Sequence, residues 1–371
     1  MKKVWAIRVG AMALAAAMLA ACGGSGKPID TSAPPSSSGG SSANKDEKVK
    51  VTMFIFAGSN QGVVPREVVA EYVKTHPNVE IEFLESTNAA TYPKIVAAKQ
   101  ATPDKPLVQF GFFNVSSTDQ GLVDDLWEPL NPERIPNMKN TMTNLQRAEN
   151  KGVPYQLSVM GLMYNKDKVK EPPTSWADLW SEKYRGRVVT FDYQWQALVM
   201  AAKLNGGSEA NIDPGFKIWS ENAKNLKALV NSNDALKNLV VSGDAWIAPW
   251  WGSQYKTWLD EGAPLGYVTP KEGPIAFPLY LQVLKGVTPA QRKVAEDIIN
   301  LLLAPEAAGR YAELTNGIAA VTNAKVSDKV KNDPIFSPLL ADKAIQLDWA
   351  IMAKKNSEWK ERWDKEVKSK L

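Results

Sequence analysis

The residues able to do chemistry in this chain are few and widely spaced. Its 371 residues include one His and one Cys, so a Ser-His-Asp or Cys-His nucleophilic centre would have to use His76. A multi-histidine metal site is excluded by the same counts. His76 stands before Pro77, where a helix should stop, and reads as a surface residue at a helix C-terminus. Two carboxylates about 5–10 Å apart could hydrolyse a substrate. The loops able to hold such a pair contain essentially Asp192 and Glu272. No Gly-rich phosphate loop of Walker type is present. Aromatic chemistry is better supplied, since the 13 Trp outnumber the 10 Tyr and the 10 Phe. Aromatic faces bind cations at about 2 kcal/mol each when desolvated, and they also stack on sugar rings.

The elements that must position these residues are read from periodicity. Val49–Phe56 alternates as a strand, Pro65 opens a helix that His76-Pro77-Asn78 stops, and Val79–Leu84 is the next strand. This βαβ unit argues for a mostly parallel sheet covered by helices. A helix near Thr91–Ala101 leads to a strand at Leu107–Phe112. Thr174 or Ser175 should cap a helix through Trp180, with Asp178 completing a capping box. A strand at Arg187–Phe191, the loop Asp192-Tyr193-Gln194 and a helix from Trp195 follow, then a long helix from Pro214 to about Val230. Ala245–Pro249, Leu265–Val268 and Ile275–Leu284 read as strands, and Trp251–Asp260 as a helix. The remainder from Pro289 is mainly helical, ending in an amphipathic helix with Trp359 and Trp363 turned inward.

The amino terminus reads as an address. Lys2, Lys3 and Arg8 precede an apolar run from Ala11 to Ala21, too short to span a bilayer. It ends in Leu19-Ala20-Ala21-Cys22, which resembles the bacterial lipoprotein box. The resemblance implies cleavage before Cys22, lipidation of its sulfur and acylation of the new terminus, enough chains for stable anchoring. Residues 23–48 are Gly-, Ser- and Pro-rich and read as a flexible tether. The 44 Lys+Arg against 40 Asp+Glu give a formal charge of +4. Cleavage would remove Lys2, Lys3 and Arg8 and no acid, leaving a near-neutral body that offers nothing to nucleic acid.

Several segments in a fixed order carry a wider likeness. They are Val153-Pro154-Tyr155, Met163–Asp167, Pro173–Leu179, Tyr184–Arg187, Thr269–Gly273 and Pro305–Ala308. The chain resembles the extracellular solute-binding proteins of bacterial ABC importers over nearly all of residues 49–371. The nearest subgroup is the spermidine/putrescine binders, with ferric-ion, thiamine and aminoethylphosphonate binders as relatives. The resemblance implies an α/β, two-lobe periplasmic-binding-protein-like fold, with mixed sheets flanked by helices and a hinge between lobes. Lobe 1 would be 49–158 plus 280–371 and lobe 2 would be 159–279, with crossings near Ser158 and Leu279. It further implies a non-enzymatic, monomeric receptor, facing the periplasm or the cell exterior, that needs no cofactor or metal. Its partners would be a small solute, a permease and that permease's ATPase.

Ligands in open α/β sheets sit at the carboxyl ends of strands, which selects particular loops. The candidates are Ser59, Asn60, Phe113, Asn114, Tyr155, Asp192, Trp195, Trp250, Trp251 and Phe277. Asn60, Asn114 and Tyr155 would supply hydrogen bonds, and Trp195 and Trp250 stacking. Adjacent strand residues point to opposite faces, so one of Trp250 and Trp251 is buried and the other faces the cleft; Trp250 is favoured for the cleft. Asp192 either caps the following helix or anchors a ligand ammonium. By resemblance, polyamine binders carry a carboxylate in this loop and another just after the Lys-Glu-Gly segment. Here that second strand, Pro274–Tyr280, has none. The expectation is a small cationic or amine-bearing solute in an aromatic cleft. A carbohydrate is the alternative, and a carboxylate-dependent hydrolase a more distant one.

Overall fold

The computed structural model describes residues 48–58 and 60–371. The leader, Cys22, the tether up to residue 47 and Ser59 lie outside the described residues. In β1 (Val49–Phe56) the alternation buries Val51, Met53 and Ile55, with Phe54 buried on the other side. Helix α1 (Val63–Thr75) packs Val64, Val69 and Tyr72 inward, and β2 (Val79–Ser86) lies parallel to β1. His76 stacks on Tyr72 at the end of α1, ring centroids 4.0 Å apart, as a helix-terminal residue. Thr87 caps α2 (Asn88–Ala101) by accepting from the Ala90 amide. Strand β3 is Phe110–Asn114 and not the expected 107–112. At Gln109 the side chain accepts the Thr52 amide at 2.6 Å while the backbone amide donates to the Thr52 carbonyl at 2.9 Å, so only half of the pairing with β1 there is backbone to backbone. Asn114 ends β3 and caps α3 (Val115–Val123), accepting from the Ser117 amide. The two-residue β4 (Trp127–Glu128) follows.

The longest strand, β5 (Val153–Asn165), was not anticipated. Being buried on both faces, it has no period-two pattern to read. Four strands of the next segment are β6 (Val188–Phe191), β7 (Leu226–Val230), β8 (Ile247–Trp251) and β9 (Leu265–Val268). They alternate with α4 (Trp195–Leu204), α5 (Asp213–Glu221), α6 (Asn233–Val241) and α7 (Gly252–Asp260). The expected helix over 214–230 is corrected: α5 stops at Glu221, and Leu226–Val230 pairs parallel to β6. Asn225 marks the break, donating its amide to the carbonyls of Leu179 and Ser181. Helix α6 was not foreseen, and β8 begins two residues later than expected. The segment Trp176–Trp180 carries the expected Ser175/Asp178 capping box on a 3-10 helix.

Strand β10 (Ile275–Leu284) runs antiparallel to β5, with Phe277 opposite Ser158 and Leu279 opposite Gln156. Among the described residues eleven strands form one sheet, whose main order is β2-β1-β3-β10-β5-β8-β6-β7. The β10–β5 pair joins a first arm, β2-β1-β3, to a second, β8-β6-β7. The chain closes with α8 (Pro289–Leu302), α9 (Pro305–Leu314), β11 (Ile318–Ala319), α10 (Asp328–Lys331) and α11 (Trp349–Glu366). Helices α8 and α9 cover the first arm, where Ile298, Ile299 and Tyr311 join Met53, Phe112 and Leu281 in one core. Trp359 and Trp363 of α11 do turn inward, onto the second arm's core. Trp363 meets Trp195 and Trp219 edge to face, with centroids 6.1 and 5.6 Å apart.

Candidate solute site

A cavity of about 280 Å³ opens where β5 and β10 cross between the arms. The first arm supplies Phe56 from the end of β1, Gln61 from the loop beyond it and Asn114 from the end of β3. The crossing strands supply Gln156 and Ser158 from β5 and Phe277 and Leu279 from β10. The second arm contributes Trp251 at the end of β8 and Ser253 in α7, and the turn after α9 contributes Thr315, Asn316 and Gly317. None of these side chains is charged. Seven carry an amide or a hydroxyl, and three are aromatic.

The polar wall is held from behind. Gln156 Nε2 donates to Thr315 Oγ1 at 2.5 Å, and Thr315 Oγ1 donates to the Tyr311 carbonyl at 2.6 Å. Tyr311 OH donates to Gln61 Oε1 at 3.3 Å. Gly317 presses on this wall, since a Cβ there would lie 1.8 Å from Gln156 Nε2. Asn60 and Asn316 both adopt left-handed backbone, φ 60° and 51°, which Asn tolerates better than other side chains. Asn60 Nδ2 donates to the Leu314 carbonyl, tying the loop after β1 to the turn after α9. On the aromatic side Phe277 lies 5.0 Å from Trp251, centroid to centroid.

The expected site residues separate into two groups. Asn114, Trp251 and Phe277 line the cavity, and Asn60 braces its rim. Ser59 lies outside the described residues, and Phe113, Tyr155, Asp192, Trp195 and Trp250 lie elsewhere. Phe113 is buried against Phe54 and Trp127, on the opposite face of β3. Tyr155 is buried between Phe112 and Tyr311, and burial pushes its phenol well above the usual tyrosine range. Trp250, favoured for the cleft, is 3% exposed and stacks between Phe191 and Trp258. The alternation argument holds but its outcome is reversed, because Trp251 is the ring facing the cavity. Trp195 donates its indole N–H to Asn356 Oδ1 of α11 at 2.7 Å.

Asp192 is engaged by the C-terminal segment. Its Oδ2 accepts from Lys368 Nζ at 2.9 Å, and Lys368 also reaches Tyr193 OH and Asp364. These bonds, the one from Asp192 foremost, hold the Lys368 ammonium above the usual lysine range. Capping is not its role either, since Gln194 occupies the N-cap of α4 and makes no side-chain cap bond. Glu272 is likewise committed, accepting from Ser175 Oγ at 2.6 Å and from the Trp176 amide. Neither acid lines the cavity, and among the described residues no cluster of His, Cys, Asp and Glu could hold a metal.

The polar residues missed from sequence left some signal. Gln156 and Ser158 are polar side chains in a long apolar run, and Thr315-Asn316-Gly317 reads as no more than a helix stop.

The family model described as bacterial extracellular solute-binding protein matches residues 67–338, which reach into both arms and include most of the cavity. The chain belongs to the bacterial extracellular solute-binding proteins. It is a non-enzymatic substrate-binding component of an ABC importer, a class that binds a small solute and a permease. The spermidine/putrescine-binding periplasmic protein 1 of Haemophilus influenzae is 24% identical over 287 residues, 74% of this chain and 78% of that protein. The crystal structure of an ABC transporter from Clostridium perfringens superposes with a TM-score of 0.73 at 19% identity, covering 85% of this chain and 99% of that one. The spermidine/putrescine substrate-binding protein PotD of Streptococcus pneumoniae, in complex with calcium and HEPES, gives 0.68 at 20% identity, covering 84% and 99%. Among the described residues of this solute-binding protein no helix is long and apolar enough to cross a membrane.

Proposed function

We propose that this solute-binding protein captures an uncharged, hydroxyl-bearing solute with one flat apolar face, such as a small carbohydrate or cyclitol. The observation that carries the reading is the cavity wall, in which amide and hydroxyl groups face aromatic rings without a charged side chain. An amide offers both donor and acceptor, matching a sugar hydroxyl that does the same. Each such bond contributes about 1 kcal/mol net. A buried ammonium without a partner carboxylate costs several kcal/mol, more than cation–π contacts of about 2 kcal/mol each readily return. An amine-bearing solute is the second reading, supported by the polyamine-binding relative and by the rings of Phe56, Trp251 and Phe277.

The two arms act in this reading as lobes that close about the β5–β10 pair, with the hinge near Ser158 and Leu279. The protein works as a monomer, tethered to a bacterial membrane through lipid on Cys22, and delivers its solute to a permease driven by a separate ATPase. Detergent-phase partitioning of the full chain, lost in Cys22→Ser, tests the anchor. Calorimetry against D-glucose, myo-inositol, putrescine, spermidine, choline and thiamine tests the solute class. Heat with the first two and none with the amines is expected. If an amine binds and Asp192→Asn weakens it tenfold, the uncharged reading fails and the carboxylate is a ligand anchor after all.

A further inference from the structure

We propose that Trp349, which does not line the cavity, is a positioning residue that sets the aromatic wall of the solute site and links that wall to α11. The proposal rests on reading the cavity as the solute site. Residues 343–349 reach this place along the start of β10. The Ile345 amide donates to the Pro274 carbonyl at 2.7 Å, and the Ala276 amide to the Ile345 carbonyl at 2.9 Å. Gly273 permits the approach, for a Cβ there would lie 2.2 Å from the Lys343 carbonyl oxygen. Trp349 is thereby delivered against Phe277, edge to face, with centroids 5.1 Å apart and planes at 73°. Phe277 in turn meets Trp251, so three rings form a chain, of which Phe277 and Trp251 line the cavity and Trp349 stands behind them. A half-buried ring on an open wall has several rotamers available; a ring flanked on both sides does not.

Helix α11 touches the site a second time. It packs on α3, whose N-cap is the cavity residue Asn114. Its far end is fixed to the second arm, where Arg362 lies 4.0 Å over the Phe216 ring and pairs with Asp213 at 2.7 Å. Asn356 accepts from Trp195 along the same face. One helix therefore stands behind both an aromatic contact and an amide contact of the solute. Movement of Phe277 on capture is transmitted to α11 through Trp349.

The test uses the full chain labelled with 5-fluorotryptophan, with the Trp251 resonance assigned by its loss in Trp251→Phe. In the solute-free protein, Trp349→Leu should shift and broaden the Trp251 resonance, and Trp349→Tyr should bring it back towards wild type. Trp363→Phe, at the other end of α11, should leave it in place. Trp349→Phe keeps the core filled if the Leu variant folds poorly, and should move the resonance the same way by less. A Trp251 resonance unmoved in folded Trp349→Phe and Trp349→Leu overturns the proposal, as does an equal shift in Trp363→Phe. Because this readout needs no solute, its failure is distinct from failure of the solute class. Where D-glucose or myo-inositol binds, Trp349→Leu should weaken it roughly 2- to 12-fold, the worth of one aromatic pair.

Discussion

Gln156 concentrates the logic of the site in one side chain. It stands on the central strand, its amide donates to Thr315, and Gly317 leaves it just enough room. Replacing it with Leu keeps the volume and removes both polar functions, leaving the Thr315 hydroxyl without its donor. Gln156→Leu should weaken solute binding by roughly tenfold or more, since an unsatisfied buried partner costs about 1–3 kcal/mol. Titration calorimetry on the binding member of the solute panel measures this; an unchanged affinity would remove Gln156 from the site. Legibility at this scale was uneven for a physical reason. Asn114 and Trp251 stand at strand ends and Phe277 close to the start of β10, where position in the chain implies position in space. Gln156 and Thr315 meet across 159 residues, and no local pattern announces such a pairing. Asp192 looked like a ligand anchor because its loop is correctly placed, but its partner Lys368 comes from the last turn of the chain.

At the scale of elements, α11 is the piece whose role exceeds its appearance. Its sequence reads as an ordinary amphipathic helix, and its polar face carries paired charges such as Lys355–Glu358 and Arg362–Glu366. Its buried face instead completes the second arm's core, where Trp359 is fully buried and meets Trp195 edge to face at 5.9 Å. Trp359→Ala should cost about 3–5 kcal/mol of stability. Denaturant unfolding followed by far-ultraviolet circular dichroism should show a lower midpoint; a loss below about 1 kcal/mol would mean that the helix is an appendage. Strands β5 and β7 escape sequence reading for different reasons. Strand β5 is buried on both faces, so its polar–apolar rhythm is erased. In β7, Leu226–Val230 is short enough to continue a helical pattern, and only pairing with β6 decides its state.

For the whole molecule, the uncharged cavity separates binding from the titration of the surface. The surface carries many ion pairs, such as Arg310–Glu67 and Lys325–Glu306, whose carboxyls are held below the usual glutamate range by those bonds. None of them lines the cavity. Affinity for an uncharged solute should therefore vary less than about twofold between pH 5 and pH 8, and equally little between 50 and 500 mM salt. A tenfold change across either range would place a charged group in contact with the solute.

The sheet order has a consequence for how this chain comes to be folded. Strand β3 meets the rest of the sheet through β10, pairing residue 110 with residue 283. The first arm cannot complete its hydrogen-bonded ladder until almost the whole second arm has been synthesised. Such distant closures make folding slow, because the entropy of a long loop is lost before the contacts that reward it form.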